Sequence, residues 1–428
     1  MERIHLDMVI LNASELVTVA GASHAPKLKT DLGELGIIED GAVAIRGNQI
    51  VAVDTTKDIR RLVKPGSKPR IIDASEKTVL PGFVDPHAHL AFAGSREQEF
   101  VQKIQGATYM EILEAGGGIN VTVKATRKAS RSTLVSLGQH VLDRMMEYGT
   151  TTVEGKSGYG LDPRHEYKQL LAIRDLNLIH HLDVIPTFMG AHVIPLKYKK
   201  TPEKYVELII SKMIPTVAGK GLAEFCDVFT EKGVFNLEQS KRILLAAKEK
   251  GLVPKIHADE MTTMGGAELA AEVGAVSADH LLKVSRRGIQ ALAKAQVIAV
   301  LLPATAFVIM AKDYAPARSL IDAGVPVALA TDYNPNCLTE SMQIVLTLAC
   351  LNMRMTPAEV ISAATINAAH AINRSHLIGS LEPNKQADLV IMDVPNHAHI
   401  PYHFGVNLVD KVVKAGKVVF STHSRKKC

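Results

Sequence analysis

The chain has 428 residues, 47% of them hydrophobic, and a formal net charge of +5. This length exceeds the size at which one hydrophobic core usually stops growing, so we expect one large domain and a smaller one. The basic side chains are scattered instead of forming an arm or stripe, which argues against nucleic-acid binding. No apolar run approaches the roughly 20 residues of a membrane span, and the first residues lack a signal-peptide pattern. We therefore expect a cytoplasmic protein without a membrane anchor.

The four cysteines agree with a reducing compartment. They show no CxxC spacing, and four in so long a chain are too few for a disulfide framework. They are Cys226, Cys337, Cys350 and Cys428.

Both ends of the chain have the pattern of short strands separated by turns. Gly47-Asn48 lies between two such runs and predicts a hairpin. Because the same pattern returns at the far end, we predict that residues 1–78 and 380–428 together form one small β-sandwich domain. The strand-like runs lie at 8–12, 16–20, 42–46, 50–54, 71–74, 387–392, 409–413 and 415–420.

Between residues 79 and 379 the pattern changes to strands that alternate with amphipathic helices. Eight such units in about 300 residues favour an α/β fold of the closed (β/α)8 TIM-barrel type over an open doubly wound sheet. Active sites of these barrels lie at the carboxyl ends of the strands, so residues 79–379 should carry the catalytic site. The predicted strands are 79–86, 151–156, 183–189, 224–230, 253–258, 275–279, 297–302 and 325–331, with helices over stretches such as 132–147, 165–177 and 237–250.

The most informative motif is His87-Ala88-His89, at the end of the first predicted barrel strand. Side chains two residues apart leave the same face of a strand, so both imidazoles can bind one cation. An HxH motif alone is weak evidence, but three more polar residues end other apolar runs. Buried His and Asp are costly unless paired or ligating, and nitrogen ligands with one carboxylate suit Zn or non-haem Fe. The three residues are His257, His280 and Asp332.

Six longer motifs occur at the ends of the predicted strands, in chain order. In these motifs, and in a β domain built from both chain ends, the sequence resembles the amidohydrolase superfamily over essentially its whole length. Within it, the sequence is most similar to the branch that opens the ring amide of an imidazolone with a propanoate arm. The motifs are Pro86-His87-Ala88-His89-Leu90, Gly94-Ser95-Arg96-Glu97, Lys156-Ser157-Gly158-Tyr159-Gly160-Leu161, Met189-Gly190-Ala191-His192, Ile256-His257-Ala258-Asp259-Glu260 and Thr331-Asp332-Tyr333-Asn334-Pro335.

The resemblance implies a hydrolase in which a metal-activated water attacks the cyclic amide carbon. It further implies a homodimer with one Zn²⁺ or Fe³⁺ per subunit. The implied metal ligands are His87, His89, His257 and Asp332. The implied proton-transfer residues are Glu260, His280 and Asp332, and the sequence leaves open which of the three is the general base.

The same resemblance implies a set of substrate contacts. Arg96 can offer a bidentate fork to the propanoate, although a surface ion pair with Glu97 or Glu99 is the alternative. Residues 335–339 depart from the Gly/Ser-rich segment of the common bacterial pattern, which puts contacts there in doubt. The implied contacts are Arg96, Tyr159, His192, Glu260, Asn334, Asn336 and Cys337.

Three alternative interpretations can be compared with this one. A dinuclear site would usually have a bridging lysine on the fourth strand, but Lys232 follows that strand and Lys156 lies on the second, which favours one metal. Another cyclic-amide or amidine hydrolase, such as a hydantoinase or a purine deaminase, would not need Arg96 for a substrate without a carboxylate. A non-catalytic metal-binding barrel is disfavoured because the ligands and Glu260 are intact.

Overall fold

The computed structural model describes residues 3–107, 111 and 117–422. The strands fall into two sheets of eight. They are β1 Met8–Val17, β2 Ile37–Arg46, β3 Gln49–Thr55, β4 Arg70–Asp73, β5 Thr78–Pro81, β6 Phe83–Asp85, β7 Thr150–Lys156, β8 Asp183–Ala191, β9 Phe225–Thr230, β10 Val253–Ala258, β11 Ser277–His280, β12 Ile298–Leu301, β13 Val327–Leu329, β14 Leu389–Met392, β15 Val409–Lys414 and β16 Lys417–Ser421.

The helices lie mainly between the strands of the second sheet. The α-helices are Thr56–Leu62, Glu97–Ile104, Ile119–Lys128, Arg131–Glu147, Pro163–Ile179, Pro202–Leu208, Ile214–Gly219, Leu237–Glu249, Gly266–Val273, Arg286–Ala295, Pro303–Val308, Ala317–Ala323, Met342–Met353, Pro357–Ala363, Ile366–Ala371 and His399–Tyr402. Short 3-10 turns lie at Lys29–Gly33 and Leu196–Tyr198, and a π-helical turn lies at Ile209–Met213.

The second sheet consists of β6 to β13, which are parallel and neighbour one another in chain order. Its two end strands meet just beyond their carboxyl ends. There Asp332 N donates to His87 O at 3.0 Å, and His89 N donates to Tyr333 O at 2.7 Å. The predicted (β/α)8 fold is therefore confirmed, and the segments that close the barrel are the ones that carry three predicted metal ligands.

The first sheet, which we call the terminal sheet, is built from both chain ends. Its order is β16-β15-β14-β5-β1-β2-β3, with β4 beside β1. The predicted hairpin at Gly47-Asn48 is confirmed, because Arg46 of β2 lies opposite Gln49 of β3. Ile10 of β1 and Val413 of β15 share one buried apolar cluster, so the terminal sheet has a core of its own. The domain boundaries at residues 79 and 380 stay a prediction.

The predicted strand 79–86 is wrong as a single element, because the chain changes sheets at Gly82. β5 pairs with β1 and β14 in the terminal sheet, whereas β6 pairs with β7 in the barrel. Gly82 N donates to Asp388 O at 3.1 Å, and a Cβ at this position would collide with Thr151. Both halves are apolar and fully buried, so the hydrophobic pattern shows no break.

Local capping signals explain where several barrel helices begin. Asp162 caps the helix Pro163–Ile179 by accepting from His165 N at 3.0 Å, and Pro163 suits its first turn. Asn236 and Gln239 form a capping box at the start of Leu237–Glu249. These caps fix where each loop ends, and the loops at the barrel mouth carry the site.

Two further expectations concern cysteines and membranes. Cys226, Cys337 and Cys350 are free thiols, and Cys428 lies outside the described residues. Within the described part of the chain, no helix is long and apolar enough to cross a membrane.

Candidate active site

The predicted metal ligands meet at the carboxyl ends of the barrel strands. The ring centroids of His87 and His257 lie 4.5 Å apart, and those of His87 and His89 lie 5.7 Å apart. Asp332 Oδ1 lies 3.5 Å from His87 Nε2 and 3.9 Å from His89 Nε2. All four residues are buried, with 3% exposure or less. The structure thus brings together four residues separated by up to 245 positions in the chain.

The free ring nitrogens fit a metal ion. His87 Nδ1 lies 2.6 Å from Asp279 Oδ2, while its Nε2 is buried and has no hydrogen-bond partner among the described residues. His257 Nδ1 lies 3.0 Å from Asp227 Oδ1 in the same way. A carboxylate on Nδ1 fixes the proton there and leaves the Nε2 lone pair for a ligand. An unpartnered, buried Nε2 is costly in an apolar interior and is satisfied by a bound cation.

The donor set also has the composition of a metal centre. Two groups of three side chains each offer three possible ligand atoms that lie within 4.8 Å of one another. The first group is His87, His89 and Asp332, and the second is His87, His257 and His280. Imidazole nitrogens with one carboxylate suit Zn or non-haem Fe better than Ca or Mg. The arrangement can hold a metal ion, while the role of each residue as a ligand stays a prediction.

Asp332 is oriented by a residue that the sequence analysis missed. Thr305 Oγ1 donates to Asp332 Oδ2 at 2.6 Å, which leaves Oδ1 directed toward His87 and His89. Asp332 has a backbone φ of 50° and His280 a backbone φ of 77°. Residues other than glycine rarely adopt such values, and those that do are often found at functional sites. Thr305 lies in an apolar stretch two residues after Pro303, and no pattern in the sequence distinguishes it.

A layer of buried charges lies under the histidines. Lys156 Nζ donates to Asp227 Oδ2 at 2.7 Å and to Glu154 Oε1 at 3.1 Å, and Lys255 Nζ donates to Glu154 Oε2 at 2.8 Å. All of these residues and Asp279 are fully buried. Burial alone would lower the pKa of Lys156, but the neighbouring carboxylates outweigh it and raise that pKa above its ordinary value. In the sequence, the signal for this layer is the presence of charged residues inside otherwise apolar strands.

Glu260 and His280, two of the predicted proton-transfer residues, lie beside each other. Glu260 Oε1 lies 3.7 Å from His280 Nδ1, a buried atom without a hydrogen-bond partner in the described part of the chain. Burial and the negative charge of Asp332 raise the pKa of Glu260 to about 8. Burial likewise raises the pKa of Asp332 to about 6. Carboxyl groups with such pKa values suit general acid–base chemistry near neutral pH.

Tyr159 and His192 border the histidine cluster, as predicted from the strand ends. The His192 ring stacks on His89 with centroids 5.1 Å apart, and Tyr159 lies 5.1 Å from His192. His192 Nδ1 lies 3.1 Å from the carbonyl oxygen of Gly158, to which it donates. Burial lowers the pKa of His192 to about 3, so the ring is neutral at physiological pH. Their contacts with substrate stay predictions.

The loop that carries Tyr159 is held by a buried carboxylate that the sequence analysis also missed. Glu166 accepts hydrogen bonds from Gly160 N and Leu161 N, both at 2.7 Å, and from Gly158 N at 3.1 Å. The sequence predicts that Glu166 lies in the first turn of a capped helix, but it does not predict that the Glu166 side chain is directed toward the loop.

Arg96 forms the ion pair that was considered as an alternative to substrate binding. Its Nε and Nη2 donate to Glu99 Oε2 at 2.9 and 2.6 Å, and Glu99 Oε1 accepts from Gly118 N at 2.9 Å. The Arg96 side chain is 13% exposed, so this pair is not a surface pair. Arg96 lies near enough to Tyr159 for its charge to oppose the rise in the pKa of that phenol, which burial causes. A substrate contact by Arg96 stays a prediction.

The remaining predicted contacts lie in the turn directly after Asp332. Asn334 N donates to Cys337 O at 3.0 Å, and Asn334 Nδ2 donates to Asp332 O at 2.7 Å. Lys103 Nζ donates to Asn336 Oδ1 at 2.9 Å. Cys337 is fully buried. These contacts show what shapes the turn, and substrate contacts by its residues stay predictions.

A His/Asp cluster that could hold a metal ion, at the mouth of a (β/α)8 barrel with a second sheet made from both chain ends, is the architecture of the amidohydrolase class. A model of the amidohydrolase family matches residues 78–419, and the chain belongs to this family. Within it, the chain belongs with the imidazolonepropionases. It is 55% identical over 414 residues to imidazolonepropionase of Geobacillus kaustophilus, covering 96% of this chain and 97% of that protein. It is 52% identical over 415 residues to imidazolonepropionase of Alkaliphilus metalliredigens, covering 97% and 98%.

Solved structures with low sequence identity share the fold. An adenosine deaminase from Xanthomonas campestris with bound zinc has a TM-score of 0.72 at 19% identity, over 98% of this chain and 94% of that one. A triazine hydrolase variant has a TM-score of 0.74 at 18% identity, over 97% and 94%. These likenesses show that one architecture serves several hydrolytic reactions, so the substrate must be argued from the site.

Proposed function

We propose that this protein hydrolyses 4-imidazolone-5-propanoate to N-formimidoyl-L-glutamate, the imidazolonepropionase step of histidine degradation. The observation that carries the proposal is the identity of 55% with a relative of that name over 96% of the chain, together with the six motifs named above. The buried cluster of His87, His257 and Asp332 supports it from the structure.

The proposal includes one Zn²⁺ or Fe³⁺ per chain, held by His87, His89, His257 and Asp332. The unpartnered Nε2 of His87 and the single oriented oxygen of Asp332 support this assignment. When bound, such an ion supplies Lewis acidity and lowers the pKa of water toward neutrality. The absence of a lysine from β9 supports one metal over two.

The protein's own side chains would handle the protons of the reaction. The water oxygen joins the ring carbonyl carbon, the ring C–N bond breaks, and one water proton ends on the leaving nitrogen. Glu260, whose carboxyl oxygen lies 3.7 Å from His280 Nδ1, would in its ionised form take that proton and return it to the nitrogen. We therefore favour Glu260 over Asp332 as general base, because Asp332 Oδ2 is occupied by Thr305.

Substrate binding would use the residues that border the histidines. Arg96 would meet the propanoate carboxylate, with Glu99 holding the guanidinium in place. Tyr159 and the neutral His192 would contact the ring. Asn334, Asn336 and Cys337 would line the pocket from the turn after Asp332.

Assembly and location complete the proposal. We propose a cytoplasmic homodimer, which size-exclusion chromatography with light scattering would test by a mass of about twice the 46.3 kDa chain.

The deciding experiment follows the absorbance of 4-imidazolone-5-propanoate with purified, metal-analysed protein. Rapid metal-dependent loss of absorbance is expected, with a collapse in Arg96→Ala. Arg61→Ala is the matched control, because Arg61 also forms an i,i+3 ion pair, with Asp58, but on a helix packed against the terminal sheet. No turnover at full metal occupancy would refute the substrate assignment. Turnover that is indifferent to Arg96 would refute its role in binding the propanoate carboxylate.

A further inference from the structure

We propose that Lys156 is a positioning residue, which holds the two carboxylates that orient the rings of His87 and His257. The inference rests on the proposed metal ligands. Lys156 ends β7, is fully buried, and contacts neither ring by a hydrogen bond in the described structure. Its effect on the metal site would be exerted through Asp227 and Asp279.

The Asp227 carboxylate links Lys156 directly to His257. Its Oδ1 lies 3.0 Å from His257 Nδ1 and accepts from the backbone N of the same residue at 3.2 Å. Its Oδ2 accepts from Lys156 Nζ at 2.7 Å. Because each oxygen has a different partner, the ammonium fixes the rotation of the carboxylate, and the carboxylate fixes the plane of the ring.

Asp279 repeats the arrangement on the other side of Lys156. Its Oδ2 lies 2.6 Å from His87 Nδ1 and 3.7 Å from Lys156 Nζ, while its Oδ1 accepts from Ser277 Oγ at 2.6 Å. One ammonium therefore stands between the acceptors of both rings. Without it, two carboxylates would face each other in a buried layer where charge repulsion is poorly screened, and both rings would lose a fixed acceptor.

Lys255 provides a comparison within the same layer. It is equally buried, and its charge also stabilises the Asp279 carboxylate. Its ammonium, however, donates to Glu154 Oε2 at 2.8 Å and to Pro86 O at 2.9 Å, and it forms no hydrogen bond or ion pair with Asp227 or Asp279 in the described structure. If both lysines served only to stabilise the fold, replacing either one would weaken metal binding equally. If Lys156 positions the two carboxylates, replacing Lys156 should weaken metal binding more than replacing Lys255 does.

The test measures Zn²⁺ affinity of the metal-free full chain by competition with a chromophoric chelator. Lys156→Met should weaken Zn²⁺ binding by roughly 10- to 100-fold, the range known for partners of metal-ligating histidines. Lys255→Met removes no hydrogen bond or ion pair from Asp227 or Asp279 and should weaken Zn²⁺ binding clearly less than Lys156→Met does. Urea unfolding of both variants reports the structural cost separately. Wild-type affinity in Lys156→Met, or equal weakening in Lys255→Met, would overturn the proposal.

A second measurement needs no lysine variant and applies even if Lys156→Met does not fold. In the metal-free wild-type protein, ¹⁵N spectra of the histidine rings should show the proton on Nδ1 in both His87 and His257. The signals are assigned by their loss in His87→Gln and His257→Gln. A dominant Nε2–H form of either ring would refute the orientation on which the proposal depends.

The outcomes separate this inference from the proposed function. A wild-type chain that binds no Zn²⁺ would refute the metal centre itself. A wild-type chain that binds one Zn²⁺, beside a Lys156→Met variant of equal affinity, would refute the positioning role alone.

Discussion

The hydroxyl of Thr305 determines which oxygen of Asp332 faces the histidines. Thr305→Val keeps the shape of the side chain but removes this hydrogen bond, so we expect Zn²⁺ affinity to fall by roughly tenfold. Thr305→Ser keeps the hydroxyl and should bind as the wild type does. Chelator competition on all three proteins measures the difference, and equal affinity for the Val and Ser variants would contradict the prediction.

A second prediction concerns Glu260. Glu260→Gln keeps the size of the side chain but cannot exchange a proton, so kcat should fall by roughly 10²- to 10⁴-fold. Metal content should stay unchanged, because Glu260 is not among the proposed ligands. Steady-state kinetics and elemental analysis of the same preparation provide both values. A parallel loss of metal would show that Glu260 acts on the ion and not on the proton.

Single residues differ in how well their roles can be predicted from sequence. The histidines end apolar strands, and that position implies a shared location once the barrel is assumed. Thr305 meets Asp332 across 27 positions through a hydroxyl that resembles any other threonine. Such partners depend on side-chain directions that no local pattern encodes.

At the level of elements, the loop that carries Tyr159 depends on Glu166. Glu166→Gln replaces one acceptor oxygen with an NH2 group that cannot accept a hydrogen bond, which leaves at least one buried loop N–H without its acceptor. We expect KM to rise about tenfold with a smaller change in kcat, because Tyr159 is a proposed substrate contact. Glu203→Gln, on a carboxylate that is 59% exposed, is the matched control and should leave KM unchanged.

Element boundaries were predicted well where both neighbours are turns. β7, predicted from residue 151, begins at Thr150, and the helix Leu237–Glu249 ends one residue before its predicted end. The break at Gly82 was not predicted, because the change of partner depends on a contact with Asp388, more than 300 positions away.

At the level of the whole molecule, Lys414 ties the terminal sheet to the barrel. Its ammonium lies 2.6 Å from Asp388 Oδ2 and 2.6 Å from Asp183 Oδ2, and Asp183 begins β8. Lys414→Met would leave a buried carboxylate unpaired and should lower the free energy of unfolding by about 3–5 kcal/mol. Urea unfolding measures it, with the exposed Lys417→Met as control. A fall in the free energy of unfolding of less than about 1 kcal/mol would show that the ion pairs of Lys414 contribute little to stability.

We also expect the stability of Lys414→Met to depend on pH. Burial raises the pKa of Asp388, and Lys414 opposes that rise. Without the ammonium, the folded-state pKa moves further above the roughly 3.9 of an unfolded Asp. The folded variant then binds more protons than the unfolded chain, so its stability falls as pH rises through this window. Unfolding curves should therefore show the destabilisation shrinking as pH falls toward about 4.

The overall architecture was predictable because composition, strand spacing and the motifs agree on it. The pairing of β5 with β14 could not be predicted, since any apolar strand of the C-terminal segment would match the hydrophobic pattern of β5 equally well.

That pairing has a consequence for the order in which the protein can be made. Leu80 of β5 lies opposite Val390 of β14, about 310 residues later in the chain. During synthesis, β5 therefore stays without its partner β14 until the barrel segment has been made, and pairing across such a distance in sequence is slow. Because Gly82 joins β5 to β6, the first barrel strand remains attached to an incomplete sheet until nearly the whole polypeptide has emerged.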